Sequence, residues 1–132
     1  MATNLDVITT AMRLANIINE RETPSGAQGE TGLDLLNDMM SDWEADGIEL
    51  GYYPQTLTSA TIPIEDEHLR GAKYGLARDV AAHYGVDLPL ETMRIAELTY
   101  ARLSKQTTEE FTTDFSHMPM GGNSDWYDIN TE

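Results

Sequence analysis

The chain has 132 residues, 40% of them hydrophobic, and its 8 basic and 23 acidic residues give a net charge of -15. A chain of this length forms one domain, because domains usually run to about 100–150 residues. The charge disfavours binding to nucleic acid or to an anionic membrane, since affinity for either comes mostly from lysine and arginine. Because cysteine is missing, the sequence excludes disulfides, a thiolate nucleophile and zinc sites of the cysteine-containing kinds.

The N-terminal segment is predicted to be an amphipathic helix. Its apolar residues recur at steps of three and four, which places them on one face: Leu5, Ile8, Met12, Ala15 and Ile18. Thr3 or Asn4 can cap this helix, because both side chains accept hydrogen bonds from free backbone amides. The segment lacks the basic start and unbroken apolar run of a signal peptide, so we expect a soluble protein made in the cytosol.

A loop and a second helix follow. Residues 20–32 contain Pro24, Gly26 and Gly29 among polar residues, which indicates a loop. A stripe of apolar residues then predicts the second helix: Leu33, Leu36, Met40 and Trp43. Gly47 stands where a glycine C-cap is expected.

Residues 48–64 change the pattern from helical to extended. Pro54 and Pro63 interrupt a run of β-forming residues: Tyr52, Tyr53, Thr56, Leu57, Thr58, Thr61 and Ile62. We expect an extended segment or a short hairpin here.

Two further helices are predicted in residues 65–105. The acidic triplet at 65–67 suits the first turn of a helix, where the macrodipole favours negative charge, and Gly85 ends this helix. Its apolar stripe is Leu69, Ala72, Leu76, Val80 and Tyr84. A proline-containing turn at 87–89 then starts the fourth helix, which runs to about Lys105. The stripe of the fourth helix is Leu90, Met93, Ala96, Tyr100 and Leu103.

Two glycines, Gly71 and Gly75, lie inside the third helix. Glycine costs a helix roughly 0.8–1 kcal/mol relative to alanine, so a pair of them requires a packing reason. Close approach of another helix is that reason. The neighbour is either the first or fourth helix of the same chain or a helix of another subunit.

After residue 107 the helical periodicity fades, and isolated aromatic residues stand among glycines and a proline. We expect an extended arm over residues 108–132 that docks on another surface, with plain disorder as the alternative, since disordered tails are usually poorer in aromatics. The residues expected to make this contact are Phe111, Phe115, Met118, Trp126 and Tyr127. The predicted fold is mainly α: a core domain, residues 1–107, with a small bundle of about four helices and a short extended or hairpin segment, followed by this arm.

Carboxylates are the most numerous candidates for catalysis, and glycosidases use paired carboxylates for general acid–base chemistry. Four of them crowd the end of the second helix: Asp42, Glu44, Asp46 and Glu49. These positions lie off the apolar stripe, where they are solvated and lack the burial that a catalytic acid needs. We therefore expect no catalytic residue among them.

Metal sites and cofactor motifs are not expected either. The spacing at residues 42–47 approaches that of a calcium loop, but its twelfth position, which needs a bidentate Glu, is Tyr53. His68, His83 and His117 are far apart in sequence and form no spaced metal pair. The glycines form no nucleotide-binding motif. The sequence thus predicts no enzyme activity, no metal and no cofactor.

Basic residues are concentrated in the middle of the chain. Residues 1–69 carry 13 acids and 2 bases, whereas residues 70–105 carry 4 acids and 6 bases. The six bases are Arg70, Lys73, Arg78, Arg94, Arg102 and Lys105. They are either ordinary charges on solvated helix faces or subunit-interface charges that meet acidic surface on a partner.

Resemblance to a known family is carried by several segments in a fixed order. Residues 34–52, DLLNDMMSDWEADGIELGY, form an acidic helix rich in leucine and methionine that reaches a Trp, then Asp-Gly-Ile and a tyrosine. The other segments are AMRL at 11–14, HLRGAKYGLARDVAAHYGVDLPLE at 68–91, YARLSKQT at 100–107 and MPMGGNS at 118–124. Together they resemble the head-to-tail adaptors of short-tailed phages, also called tail accessory factors or packaged-DNA stabilisation proteins.

The resemblance implies a virion structural protein without an active site. Such a protein binds below the portal as a ring of twelve copies, closes the DNA-filled head and provides the seat for tail or nozzle proteins. It implies synthesis in the host cytoplasm and residence at the head–tail junction. Two expectations from the residues fit this function: an acidic ring lets double-stranded DNA pass through its lumen without specific binding, and the arm docks on the portal.

Two other functions remain open from the sequence. One is a peptidoglycan-cleaving virion hydrolase that uses a carboxylate pair such as Glu44 and Asp46. The other is a small acidic regulator that imitates DNA and binds a host protein.

Overall fold

The computed structural model describes residues 2–115 and the side chains of residues 2–106. Within this part of the chain the elements are α1 (Asn4–Leu14), α2 (Gly26–Ala45), α3 (Asp66–Tyr84) and α4 (Leu90–Phe115). The protein is therefore mainly α, a small bundle of four helices, as predicted. No described helix combines the length and the apolar character needed to cross a membrane.

A capping box starts α1 at Thr3. The Asp6 amide donates to Thr3 Oγ1 over 3.2 Å, and the Thr3 amide donates to Asp6 Oδ2 over 3.0 Å. The cap is thus Thr3, one of the two predicted residues. Asn4 is instead completely buried, and its Nδ2 donates to Gln55 Oε1 and to the Leu57 carbonyl.

The second helix begins seven residues before the predicted position. Ser25 caps it, since its Oγ accepts from the Gln28 amide while the Ser25 amide donates to Gln28 Oε1. The prediction of a loop was wrong for residues 26–32, because this capping box offsets the low helix propensity of the glycines. Gly32 also has a packing role: a Cβ there would lie 2.5 Å from Ile8 Cγ2 of α1.

Glycines end two helices in the predicted places. Gly47 follows the end of α2 with φ of 93°, and Gly85 follows α3 with φ of 69°. A side chain is strained at such positive φ angles, which explains why glycine stands there.

Residues 48–64 are extended but do not form a hairpin. Among the described residues the backbone pairs only as an isolated antiparallel bridge between Thr3 and Thr61. The segment instead accepts hydrogen bonds from the start of α1: the Asn4 amide donates to the Ala60 carbonyl and the Leu5 amide to the Thr58 carbonyl. These are first-turn amides with no partner inside the helix, so the segment stabilises the N-terminus of α1.

The third helix lies at the centre of the bundle and contacts α1, α2 and α4. A Cβ on Gly71 would lie 2.9 Å from Leu103 Cδ1 on α4, and one on Gly75 would lie 2.9 Å from Trp43 Cζ2 on α2. Both glycines therefore serve packing within the chain. The predicted neighbour α4 is confirmed for Gly71, whereas the neighbour of Gly75 is α2.

The fourth helix begins where predicted, but its C-terminal end and part of its buried side differ from the prediction. It continues to Phe115, ten residues beyond Lys105, so the first part of the expected arm, residues 108–115, is helical. Its buried side is Thr92, Ala96, Thr99 and Leu103, whereas Leu90 is 80% exposed and Met93 37% exposed. The short threonine and alanine side chains allow α4 to approach α3 closely.

Candidate functional site

Acidic side chains form a ladder along the whole length of α2. Its members follow one another at four-residue spacing and are all exposed: Glu30, Asp34, Asp38, Asp42 and, at the C-cap, Asp46. Like charges at this spacing lie on one helix face and destabilise the helix by about 0.2–0.5 kcal/mol per pair. The ladder therefore does not stabilise α2 by itself, and its carboxylates lie in solvent.

The C-terminal end of the acidic ladder borders a groove formed by α2, α3 and α4. The groove has a volume of about 300 Å³, and its lining includes Asp42, Asp46, Arg78, Asp79 and Tyr100. The Tyr100 hydroxyl donates to Asp46 Oδ2 over 2.6 Å. The hydrogen bond to Asp46 and burial raise the pKa of Tyr100, because both favour the neutral phenol.

Asp79 is the half-buried carboxyl of this groove. Burial raises its pKa, and the nearby carboxylates of Asp42 and Asp38 act in the same direction, while Arg78 opposes them. A carboxyl group with a raised pKa beside ionised carboxylates is able to hold or release a proton closer to neutral pH. Asp79 was not predicted as a site residue, because nothing in the sequence around it indicates that this part of α3 lies close to α2.

The pair Glu44 and Asp46, named for the hydrolase alternative, is not brought into one groove. Asp46 lines the groove and is held by Tyr100, whereas Glu44 is exposed and does not line it. The acidic side chains that share the groove are instead Asp42, Asp46 and Asp79.

A second, smaller cleft lies between the N-terminal part of α3 and α4. Its volume is about 180 Å³, and its lining includes Glu67, His68, Arg70, Thr99 and Arg102. The guanidinium of Arg70 stacks over a tyrosine ring, with 5.5 Å from its Cζ to the ring centroid of Tyr74. We call this the arginine cleft, because two of the six predicted interface cations, Arg70 and Arg102, meet there.

The other four predicted interface cations are dispersed. Arg78 lies in the groove beside the acidic ladder, and Arg94 Nη1 lies 3.6 Å from Glu91 Oε1 on the exposed side of α4. Lys73 is half-buried on α3, and Lys105 is exposed on α4. The six cations therefore do not form a single basic patch.

The predicted arm residues fall at the edge of the described part of the chain or beyond it. Phe111 and Phe115 belong to the backbone of α4, but their side chains lie outside the described residues. Met118, Trp126 and Tyr127 also lie outside the described residues.

One cluster of potential metal ligands occurs at the start of α3. Oxygen or nitrogen atoms of Glu65, Glu67 and His68 lie within 4.8 Å of one another, the two carboxylates being exposed. The positive end of the α3 macrodipole opposes a cation at this position, and the carboxylates suit it without one.

Comparisons with known proteins give no family. No protein-family model matches the chain, and no curated protein matches it significantly. The resemblance to phage head-to-tail adaptors therefore stays a prediction from the quoted segments.

Proposed function

We propose that this chain is a virion structural protein of a short-tailed phage, a head-to-tail adaptor. It binds below the portal as a ring of twelve copies, closes the DNA-filled head and provides the attachment site for tail or nozzle proteins. It acts by contact and not by catalysis, within the virion at the head–tail junction.

The observation that carries this proposal is the segregation of charge on the folded chain. The acidic ladder runs along α2, from Glu30 to Asp46, while Arg70 and Arg102 meet in a separate cleft. Complementary faces at different places on one subunit produce head-to-tail contacts, and such contacts form a ring when the rotation between neighbours closes. The small helical fold and the order of the family-like segments are consistent with this function.

The net charge of -15 supports the predicted passage of DNA. Acidic surface gives a duplex few cations with which to displace its counterions, so DNA in the lumen is not held by specific binding. The adaptor retains the genome mechanically and releases it without breaking a protein–DNA interface.

The test is co-sedimentation of the full-length chain with the portal ring of the phage that encodes it. We expect binding in a fixed ring stoichiometry, measured by mass photometry. A chain lacking residues 116–132 retains every described helix and should lose portal binding if the arm docks there. A chain lacking residues 108–132 also shortens α4, so it serves as a comparison for loss of helical structure.

The outcomes separate the two parts of the proposal. If the full-length chain does not join portal rings, the adaptor function is wrong. If the chain lacking residues 116–132 binds portal as the full-length chain does, the docking role of Met118, Trp126 and Tyr127 is wrong and the adaptor function stands.

A second candidate function is the peptidoglycan-cleaving hydrolase, which one observation favours. Asp79 has a raised pKa and shares a groove with Asp42 and Asp46, as a general acid with carboxylate neighbours would. The test is turbidity clearing of purified cell walls by the unaltered chain and by Asp79→Asn. Activity that disappears in the variant would support the hydrolase; an inactive unaltered chain rejects it.

A further inference from the structure

The C-terminal end of the acidic ladder and the arginine cleft involve different residues of α4. Tyr100 points towards the end of α2, where it contacts Asp46, whereas Arg102 lines the arginine cleft. Residues two positions apart on an α-helix are rotated by about 200° around its axis. The side chains of Tyr100 and Arg102 therefore leave α4 in nearly opposite directions. Arg102 is therefore directed away from Asp46 at the end of the ladder.

Neither face is neutralised by ion pairs within the described part of the chain. The described ion pairs join Glu67 to His68 and Glu91 to Arg94, and none of them includes a ladder carboxylate. Arg70 and Arg102 form none either, and both are exposed. The stacking of Arg70 on Tyr74 leaves the in-plane N–H groups of its guanidinium free, and Glu67, which also lines the cleft, forms an ion pair with neither arginine. Carboxylates are the groups that match the geometry of such planar donors.

We propose that the arginine cleft of one copy receives the acidic ladder of α2 from a neighbouring copy. The proposal rests on the adaptor function, for which it names the surfaces that join adjacent subunits. The partner is a second copy because the chain itself carries the complementary surface, and among the described residues no ladder carboxylate forms an ion pair with Arg70 or Arg102 of the same chain.

The spacing of the ladder allows more than one carboxylate to enter the cleft. Successive ladder carboxylates stand about 5–6 Å apart at Cβ, so Arg70 and Arg102 can each pair with a different ladder residue. Of the ladder residues, Asp42 and Asp46 line the groove and Glu30 lies near the start of α2, which leaves Asp34 and Asp38 at the middle of the helix. We therefore assign Asp34 and Asp38 as the acids that enter the cleft.

Two charge-reversed variants of the full-length chain test this contact. Arg70→Glu/Arg102→Glu has two acidic faces, and Asp34→Arg/Asp38→Arg has two basic faces, so copies of either variant repel one another. Mixed together, the variants can alternate, because the reversed cleft matches the reversed ladder and the unaltered faces match each other. Self-association is measured by sedimentation velocity at low ionic strength, where exposed charges are least screened.

We expect the unaltered chain to self-associate, each variant alone to associate about ten-fold or more weakly, and the equimolar mixture to regain association. Two matched controls reverse the same number of charges outside the ladder and the cleft. Arg21→Glu/Arg94→Glu and Glu49→Arg/Asp87→Arg should each self-associate as the unaltered chain does. If a reversed variant does not fold by circular dichroism, Arg70→Gln/Arg102→Gln replaces it and should show the same loss without the rescue.

The proposed contact is overturned by an unaltered chain that stays monomeric, by variants that associate normally, or by a mixture of folded reversed variants that does not recover. Self-association tests this contact, whereas portal binding tests the adaptor function, so failure of one can be told from failure of the other. Self-association through the cleft without portal binding would reject only the adaptor function. Portal binding in fixed stoichiometry by both reversed variants would reject only this contact.

Discussion

The hydroxyl of Tyr100 on α4 donates a 2.6 Å hydrogen bond to Asp46 Oδ2 at the end of α2. The Tyr100 ring also meets the edge of Trp43, with ring centroids 5.7 Å apart. These contacts connect α2 with α4 across the surface of α3. They fix the position of the C-terminal end of α2 relative to α4, and with it the shape of the groove.

Replacing Tyr100 with Phe removes the hydrogen bond but keeps the ring contact. We expect a loss of about 0.5 kcal/mol in the free energy of unfolding, at the low end for a hydrogen bond because Asp46 is exposed. Chemical denaturation measures this loss, and a double-mutant cycle with Asp46→Ala isolates the pair. Fully additive effects of the two substitutions would contradict the contact.

The pH dependence of this contact has a definite sign. The pKa of Tyr100 is raised in the folded chain, chiefly by the hydrogen bond to Asp46. Its contribution to stability is therefore complete below the ordinary tyrosine pKa of about 10 and is lost as pH rises through the raised value. The stability difference between the unaltered chain and Tyr100→Phe should accordingly shrink in alkaline solution.

Asp79→Asn should stabilise the chain at neutral pH. Burial raises the pKa of Asp79, so the protonated form favours the folded state and this contribution is lost as pH rises through the folded pKa. Asparagine removes the cost of the buried charge. We expect the free energy of unfolding to rise by less than about 1 kcal/mol, because water screens a half-buried group. The gain should disappear below pH of about 4, where aspartate is neutral.

Thermal unfolding across this pH range measures the effect of Asp79→Asn, with the exposed Asp87→Asn as its control. Destabilisation at neutral pH would instead mean that attraction to Arg78 outweighs the cost of burial.

Alanine substitutions at three glycines should have graded effects. At Gly75 the added Cβ meets Trp43 Cζ2 at 2.9 Å and Met39 Sδ at 3.1 Å, and the rigid indole cannot yield easily. Overpacking costs about 1–3 kcal/mol and the helix propensity of alanine returns about 1, so Gly75→Ala should destabilise by about 1 kcal/mol. At Gly71 the neighbour is the flexible end of Leu103, so Gly71→Ala should be nearly neutral.

Gly26→Ala is the control for this series. Nothing lies within 4 Å of its added Cβ, and alanine favours the helix, so a slight rise in melting temperature is expected. Equal destabilisation at Gly71 and Gly75 would show that the indole and the leucine tip yield to the same extent.

The sequence predicted the helices better than it predicted the contacts between them, because the signals that start and end a helix are local. Thr3, Gly47 and Gly85 act through neighbouring backbone, so their roles were visible from residue type and position. The start of α2 was missed because three glycines masked the capping box of Ser25.

The candidate site depended on contacts that sequence spacing does not contain. Tyr100 was predicted as part of an apolar stripe, but its hydroxyl pairs with a residue 54 positions away. Arg70 and Arg102 were predicted only as members of a basic block, and their meeting in one cleft follows from the packing of α3 against α4.

Asn37→Ala should release the extended segment from α2. Asn37 Nδ2 donates to the Gln55 carbonyl over 2.9 Å, and its Oδ1 accepts from the Gln55 amide and the Tyr52 hydroxyl. Losing these part-buried bonds leaves their partners unpaired and should cost about 1–3 kcal/mol. Denaturation measures the cost, and faster amide exchange at Gln55 locates it. The exposed neighbour Asp38→Ala should neither destabilise the chain nor speed this exchange.

Tyr52 should be the last described tyrosine to ionise. Burial raises its pKa to about 12, since the phenolate would lose hydration against α2. Its neutral form therefore stabilises the fold fully below pH of about 10, and this contribution is lost as pH rises towards 12. In an absorbance titration of tyrosinate, Tyr52→Phe should remove the latest step, whereas Tyr53→Phe, at an exposed position, should leave it in place. Ionisation of Tyr52 in the main step near 10 would show that the phenol is solvated and that the segment is not packed on α2.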